Sequence, residues 1–387
     1  MRNRSLGTAI VFLSFARLMV NTSHRFVFPF LPAISRGLGI SLAQGGLLMS
    51  ARSVAFVATP AIVVSAGRGE RRVRLAMWGL GLMAVGALIT AATGVYAGAF
   101  VGFLLLGLGK PSFDAAAQAY VADRTPYEQR ARYMSILELT WAGGLLVGAP
   151  LAGWLIGRFG WEAPFWLVGV MFTATMFAAP AVLEADGPHE QSEQSRLTLD
   201  RRRWALLVAA GLFSFAAETT FIVFGAWLED GFGLSLTALG LASTLIALAE
   251  MTGEGAVLAF ADRVGKLRMV AWGLGASVVG YATLAPASNS LPLGLAALAA
   301  TFVAFEITIV ATIPLASEVA PGARSRYLAL LMVVLGVGRS IGDVIGPMLF
   351  TWRGIPANSL ASAVGAAAAL AVIASLADRG EQHPIDR

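Results

Sequence analysis

Residues 122–135 read ADRTPYEQRARYMS, and residues 317–330 read SEVAPGARSRYLAL. Pro126 matches Pro321, and Arg130, Arg132 and Tyr133 match Arg324, Arg326 and Tyr327 across a one-residue gap. The first segment lies between apolar runs at 95–120 and 131–156, the second between runs at 291–316 and 325–350. A further pair of loops repeats at the same offset of about 195 residues: SAGRGERRVR (65–74) and FADRVGKLRM (260–269), with Gly69 matched to Gly265. Two matches at one offset, half the length of the chain, mark an internal duplication.

The apolar runs around these segments set the class. The 387 residues are 57% hydrophobic and 13% charged, with mean hydropathy +0.72, whereas a soluble chain carries about 25% charged residues. Too few polar side chains remain to coat a water-soluble globule. A run of about 20 apolar residues crosses a hydrocarbon core of about 30 Å. Twelve such spans are read, at 6–32, 43–65, 73–92, 95–120, 131–156, 163–183, 204–228, 236–260, 268–287, 291–316, 325–350 and 356–377. The pattern predicts an all-α polytopic membrane protein whose twelve transmembrane helices form two pseudo-symmetric six-helix bundles, 1–183 and 204–387. Between them, residues 184–203 (EADGPHEQSEQSRLTLDRRR) read as a polar cytoplasmic linker, with a regulatory surface as the alternative. The first span begins on Arg2 and Arg4 and is too long for the core of a cleaved signal.

Cytoplasmic loops accumulate lysine and arginine. With the N-terminus inside, the inner segments hold twenty such residues and the outer loops only Arg36, Arg158 and Arg353. Both termini are therefore expected in the cytoplasm, with the inner (plasma) membrane as the location. The formal charge of +5 reflects this asymmetry and does not call for a nucleic-acid partner. With no cysteine in the chain, disulfides, thiolate-bound metals and thiol chemistry are excluded.

The motif residues carry a resemblance. Asp262-Arg263-Val264-Gly265-Lys266 resembles the signature loop of the major facilitator superfamily, found between its helices 2 and 3 and again between helices 8 and 9. Gly144, Gly148, Pro150 and Gly153 in span five, with Gly342, Gly346 and Pro347 in span eleven, are similar to the glycine-proline motif of the family's twelve-helix drug:proton antiporters. Phe28–Ile40 (FPFLPAISRGLGI) resembles the same branch. The likeness implies the major facilitator fold, with helices 1, 4, 7 and 10 lining a cavity and helices 3, 6, 9 and 12 peripheral. The sequence departs from the pattern at Ala66 and Glu70 in the first loop, at Phe103 in place of an arginine before Gly107, and at Ala149 before Pro150.

Read without the family, glycines four apart bare one helix face and let two helices approach closely. Gly144/Gly148 and Gly338/Gly342/Gly346 are expected as seams where the halves meet and slide, or as static packing. Pro150 and Pro347 each remove a backbone bond and can bend their helices. Asp262 and Arg263 are a candidate latch onto the start of helix 5, with a topology-setting loop as the plainer reading.

Ionisable groups within a bilayer are costly, about 2.5–3.5 kcal/mol each at the centre on insertion scales, and default to functional candidates. Twelve are counted: Arg17, Arg25, Arg52, Lys110, Asp114, Glu138, Glu218, Glu250, Glu254, Glu306, Arg339 and Asp343. None falls inside spans three, six, nine or twelve. Fully ionised, those of the first half sum to +2 and those of the second to −4. Either a cation balances the acidic half, or some of its carboxyls hold protons. Lys110 is one turn from Asp114, and Glu138 lies at similar depth, so a Lys110–Asp114–Glu138 cluster is expected. Asp114 reads first as a brace in it and Glu138 as its functional group. Arg17 and Arg52 are expected to be paired. Arg25 is read either as reaching outward or as pairing with a carboxylate of helix 7 or 11. Glu306 and Arg339 are read as an ion pair, Asp343 as a further candidate, and Glu218, mid-span on helix 7, as the first choice for a protonatable site. Phe213, Phe215, Phe221, Trp227 and Trp141 are candidates to stack on substrate, or packing residues.

A secondary transporter working by alternating access fits these readings best, specifically proton-coupled efflux of a hydrophobic or cationic compound. The expected partners are a small-molecule substrate, protons and the lipid bilayer, in a monomer with no cofactor. The other readings are a metabolite or sugar carrier, for which Ser112, Thr219, Thr220, Thr301 and Thr308 are a thin set of neutral groups, and a non-transporting sensor or scaffold. An enzyme is disfavoured: no Gly-x-Ser-x-Gly element or phosphate loop is present, and His24, His189 and His383 offer no paired metal ligands.

Overall fold

The computed structural model describes residues 6–62, 72–125, 127–184 and 197–380. The middle of the linker (185–196), the first signature loop with Ala66, Gly69 and Glu70, Pro126, His189, His383, and Arg2, Arg4, Arg68, Arg71, Arg196 and Arg387 lie outside the described residues.

Among the described residues, twelve helices are long and apolar enough to cross a membrane. Span one is α1 (Leu6–Arg25) continued by α2 (Val27–Gly37), and span two is α3 (Leu42–Val54) running into a 3-10 turn, Ala55–Ala58. Spans three and four are α4 (Arg72–Thr93) and α5 (Tyr96–Arg124). Span five is α6 (Tyr127–Leu146) with α7 (Gly148–Phe159), and span six is α8 (Ala163–Val182). Span seven is α9 (Arg201–Phe221) with α10 (Phe224–Phe232). Spans eight to twelve are α11 (Leu236–Val264), α12 (Lys266–Ala287), α13 (Leu291–Val319), α14 (Arg324–Arg353) and α15 (Ile355–Gly380).

Local signals explain the ends. Ser41 and Gln44 form a capping box at the start of α3, each side chain bonding the other's backbone amide. Asp200 caps α9 by accepting from Arg203 N at 2.8 Å, so that helix begins three residues before the span read from hydropathy. Gly265, at φ +91°, makes the corner between α11 and α12 that a side chain would strain.

The breaks in spans one, five and seven also have local causes. Pro29 has no amide for the Arg25 carbonyl, and the chain is interrupted at Phe26. Pro150 deprives Leu146 in the same way, and α6 gives way to α7 at Val147. Span seven has no proline there. Instead its run Thr219-Thr220-Phe221-Ile222-Val223 is rich in β-branched residues, and Thr219 Oγ1 bonds back to Phe215 O at 2.8 Å, a contact that bends helices.

The described helices cluster into two compact units. The first holds α1–α8 with the start of α11 (Leu234–Thr244), and the second holds α9, α10, the rest of α11 and α12–α15. Packing inside them repeats. In the first, α4 lies against α5 and α8, and α1 against α6; in the second, α12 lies against α13 and α15, and α9 against α14. An ion pair repeats as well: Arg72 with Asp123, and Lys266 with Glu318, which fall 194 and 195 residues further on. Tyr327, one of the matched repeat residues, is buried and donates to Arg203 O at 2.7 Å.

Candidate functional site

In the first unit, four of the predicted charges meet. The Arg17 guanidinium on α1 binds Glu138 on α6 in a fork, Nη1–Oε1 2.9 Å and Nη2–Oε2 3.1 Å, while its Nε reaches Asp114 Oδ1 on α5 at 3.2 Å. Lys110 Nζ lies 2.8 Å from Asp114 Oδ2 and donates to Asn21 Oδ1, also at 2.8 Å. Asn21 passes the network on to Thr140 Oγ1 at 3.0 Å, and Thr140 in turn donates to Leu137 O. The expected triad is thus a quartet of two cations and two carboxylates, with Arg17 as the link to Glu138. Asp114 is the enclosed member, its side chain 19% exposed, while Glu138 is open at 47%.

Next to the quartet stands a cationic and aromatic cluster. Arg25 is buried, donates from Nη1 to Trp141 O at 3.0 Å, and lies 4.4 Å from the centre of the Trp141 ring. Lys110 Nζ approaches the same ring at 5.5 Å, within cation–π range. Arg52 is buried too, donating to His24 O at 2.6 Å with its guanidinium over Phe28. The outward-reaching reading of Arg25 is corrected: the guanidinium folds back onto α6.

The second unit is built differently. Glu218, Glu306 and Asp343 are enclosed at 4%, 6% and 0% exposure. Arg339 Nε on α14 lies 3.9 Å from Glu218 Oε2 on α9, so its partner is Glu218 and not Glu306 as the turn-distance argument expected. The helices α9, α10 and α13, two of which carry Glu218 and Glu306, contribute a phenylalanine cluster. Phe221 stacks on Phe302 at 3.9 Å and Phe213 on Phe305 at 5.3 Å, with Phe224 edge-on to Phe302. Phe213 and Phe221 therefore already have ring partners. On α11, Glu250 is buried and Glu254 half-buried.

The glycine motifs make close contacts, but inside each unit. A Cβ at Gly144 would meet Asn21 on α1 and one at Gly148 would meet Thr22. Gly338, Gly342 and Gly346 of α14 abut Ser214, Glu218 and Thr219 of α9. The expectation that these series sit between the halves is corrected to α6–α7 on α1 and α14 on α9. Gly240 at the start of α11 is as close to Ala149 and Pro150. Pro347 lies within an unbroken α14. Asp262 and Arg263 are exposed at the end of α11, and the neighbouring Lys266 makes the ion pair.

A sequence profile of the Major Facilitator Superfamily matches residues 12–208 and again 206–386. The chain belongs to this superfamily. Its members carry small molecules across membranes, and this is a multi-pass membrane protein of that fold. Among relatives, an uncharacterised MFS-type transporter of Bacillus subtilis, YwfA, is 25% identical over 340 residues, covering 83% of this chain and 79% of the relative. The class C tetracycline resistance protein of Escherichia coli is 26% identical over 282 residues, covering 68% and 70%. Among solved structures, a bacterial homologue of the human lysosomal transporter Spinster superposes with TM-score 0.72 at 17% identity, over 94% of this chain and 93% of that one. The human organic anion transporter MFSD10 gives 0.70 at 17% identity, over 95% and 99%. Superfamily carriers of this fold are generally not enzymes.

Sequence reasoning missed the neutral polar groups. Asn21 and Thr140 extend the quartet's network, and Asn358, Ser359, Ser362, Ser277 and Tyr281 are buried in spans nine and twelve, which hold none of the twelve counted charges. The signal was present as NSLAS at 358–362 in an alanine-rich helix, but a search by ionisation cost passes over uncharged side chains.

Proposed function

We propose that this superfamily member is a proton-coupled exporter of hydrophobic or cationic compounds that works by alternating access of its two six-helix bundles, 1–183 and 204–387, across the linker 184–203. It acts as a monomer in the inner membrane with both termini in the cytoplasm. The supporting observation is that the enclosed glutamates of the second unit, Glu218 and Glu306, lie on α9 and α13, the two helices whose phenylalanine rings stack on one another. Carboxylate and π-face together suit a lipophilic cation, and a proton is the natural occupant of an enclosed carboxyl once the cation leaves. Glu218 serves as the exchange site, with Arg339 as its resting counter-ion. Glu138, the exposed member of the first quartet, is a second site of exchange. Asp262 and Arg263 latch the cytoplasmic end, and the glycine seams with the joint at Pro150 let the helices shift. The class C tetracycline resistance relative agrees with an exporter.

The test is ethidium flux in proteoliposomes under an imposed pH gradient. Gradient-driven movement is expected, and Glu218→Gln is expected to insert normally and lose its dependence on the gradient. Ethidium movement indifferent to the gradient in the native protein removes proton coupling. One observation favours a second reading, an organic anion carrier: Arg25 and Lys110 both face the Trp141 ring. A fluorescent lipophilic carboxylate in the same vesicles separates the two.

A further inference from the structure

The twelfth span carries no ionisable residue in its interior, yet α15 buries Asn358, Ser359 and Ser362 at 0%, 3% and 0% exposure. All three reach into the core of the second unit. Asn358 Nδ2 donates to Thr219 O at 2.7 Å and to Gly346 O at 2.8 Å. Ser362 Oγ and Thr220 Oγ1 are 2.7 Å apart, and Ser359 Oγ donates to Tyr281 O at 2.5 Å. Asn358 and Ser362 thus meet the two residues from which the break between α9 and α10 starts.

The break itself explains why a donor is needed there. Val223 N turns to Thr220 O at 3.2 Å, three residues back, so the Thr219 carbonyl does not receive the amide that a continuing helix would give it. In hydrocarbon every backbone group must find a partner within the protein, and Asn358 supplies one. The second carbonyl held by the same amide belongs to Gly346, where a Cβ would strike Ile222 and Thr219. Asn358 therefore ties the bend of span seven to α14 at one of their close approaches. Glu218 is the residue before Thr219, and its partner Arg339 rides on α14.

We propose that Asn358 is a positioning residue for the Glu218 site: it holds the α9–α10 bend in register with α14 so that Glu218 and Arg339 stay opposed. Its effect on transport rests on the exchange role given to Glu218 above; the clamp itself does not. Because the chain has no cysteine, Trp204→Cys and Gly231→Cys near the two ends of α9–α10 accept a specific pair of spin labels in the full-length protein in lipid nanodiscs. Asn358→Asp keeps the size and removes the donor, and Asn358→Ala stands in where the aspartate variant does not insert. The label-to-label distance distribution is expected to broaden roughly twofold in the variant, and an unchanged distribution overturns the clamp. In ethidium-loaded vesicles the maximal rate is expected to fall about tenfold with KM moving by less than about twofold. Combining the variant with Glu218→Gln adds no further loss, since the two act as one unit. Losses that multiply overturn the positioning role. Full gradient-driven flux in Glu218→Gln alone sinks the exchange reading, and the label distances still decide the clamp.

Discussion

Asp114 receives two cations from two other positions in the bundle, Arg17 on α1 and Lys110 one turn before it on α5. Removing one partner of an enclosed ion pair is costly because the other charge is left uncompensated, whereas removing the pair together is mild. Asp114→Asn is expected to destabilise the protein by about 3 kcal/mol, read as a lower midpoint of thermal unfolding in detergent. Lys110→Met combined with Asp114→Asn is expected to recover a large part of the loss, and a double variant no better than the single one contradicts this account. Three members of this quartet, Lys110, Asp114 and Glu138, were legible in the sequence, and Arg17 was not placed with them. Lys110 and Asp114 are four apart, and helical geometry alone places them together. That Arg17 completes the set depends on how α1 is rotated against α6, which no local pattern encodes. The same blindness misassigned Arg339: distance from a turn gives depth along a helix but not the face it presents, and the face turned to Glu218.

Helix breaks and glycine seams belong together at the next scale. α14 meets α9 through Gly338, Gly342 and Gly346, spaced one turn apart. A side chain at Gly342 would collide with Glu218 Cβ at 2.7 Å and with Phe215 O at 3.0 Å, and the backbone atoms cannot yield. Gly342→Leu is expected to cost about 2 kcal/mol or more from overpacking, while Gly157→Leu, which meets nothing within 4 Å, is expected to be close to neutral in the same unfolding assay. Equal behaviour of the two variants refutes the seam. Hydropathy located all of these spans, since twenty consecutive apolar residues admit few other readings. It could not register the interruptions at Phe26, Val147 and Ile222–Val223, because losing one backbone bond leaves the apolar run intact. Pro150 did announce one of them, and Pro29, the cause of another, stood in the quoted stretch 28–40 without being read as a break. The third arises from β-branched residues and a threonine back-bond, signals too weak to act on without the packing around them.

At the scale of the whole molecule, the duplication found in two loops extends to helix packing, to the Arg72–Asp123 and Lys266–Glu318 ion pairs, and to the bends near Phe26 and Ile222. The arginine asymmetry fixes the expected orientation, and single cysteines test it cleanly in a chain that has none. Arg158→Cys and Arg353→Cys, both exposed, are expected to react with a membrane-impermeant maleimide in intact cells. Arg268→Cys is expected to react only after permeabilisation, and the opposite pattern would invert the topology. The sequence fell short at this scale on charge balance. Its +2 in the first half is a count of side chains, and four of those six groups compensate one another in the quartet, while Arg25 and Arg52 lie over the Trp141 and Phe28 rings.

Span five and span eleven are counterparts in the duplication, and each carries a proline within two residues of a glycine, Gly148 before Pro150 and Gly346 before Pro347, yet only one is jointed. α6 and α7 part at Val147, with Leu151 N reaching back to Val147 O at a long 3.3 Å, while α14 runs unbroken from Arg324 to Arg353 through Pro347. Two arms that began as copies have thus diverged: one carries an elbow at Val147, and the other is a single continuous helix.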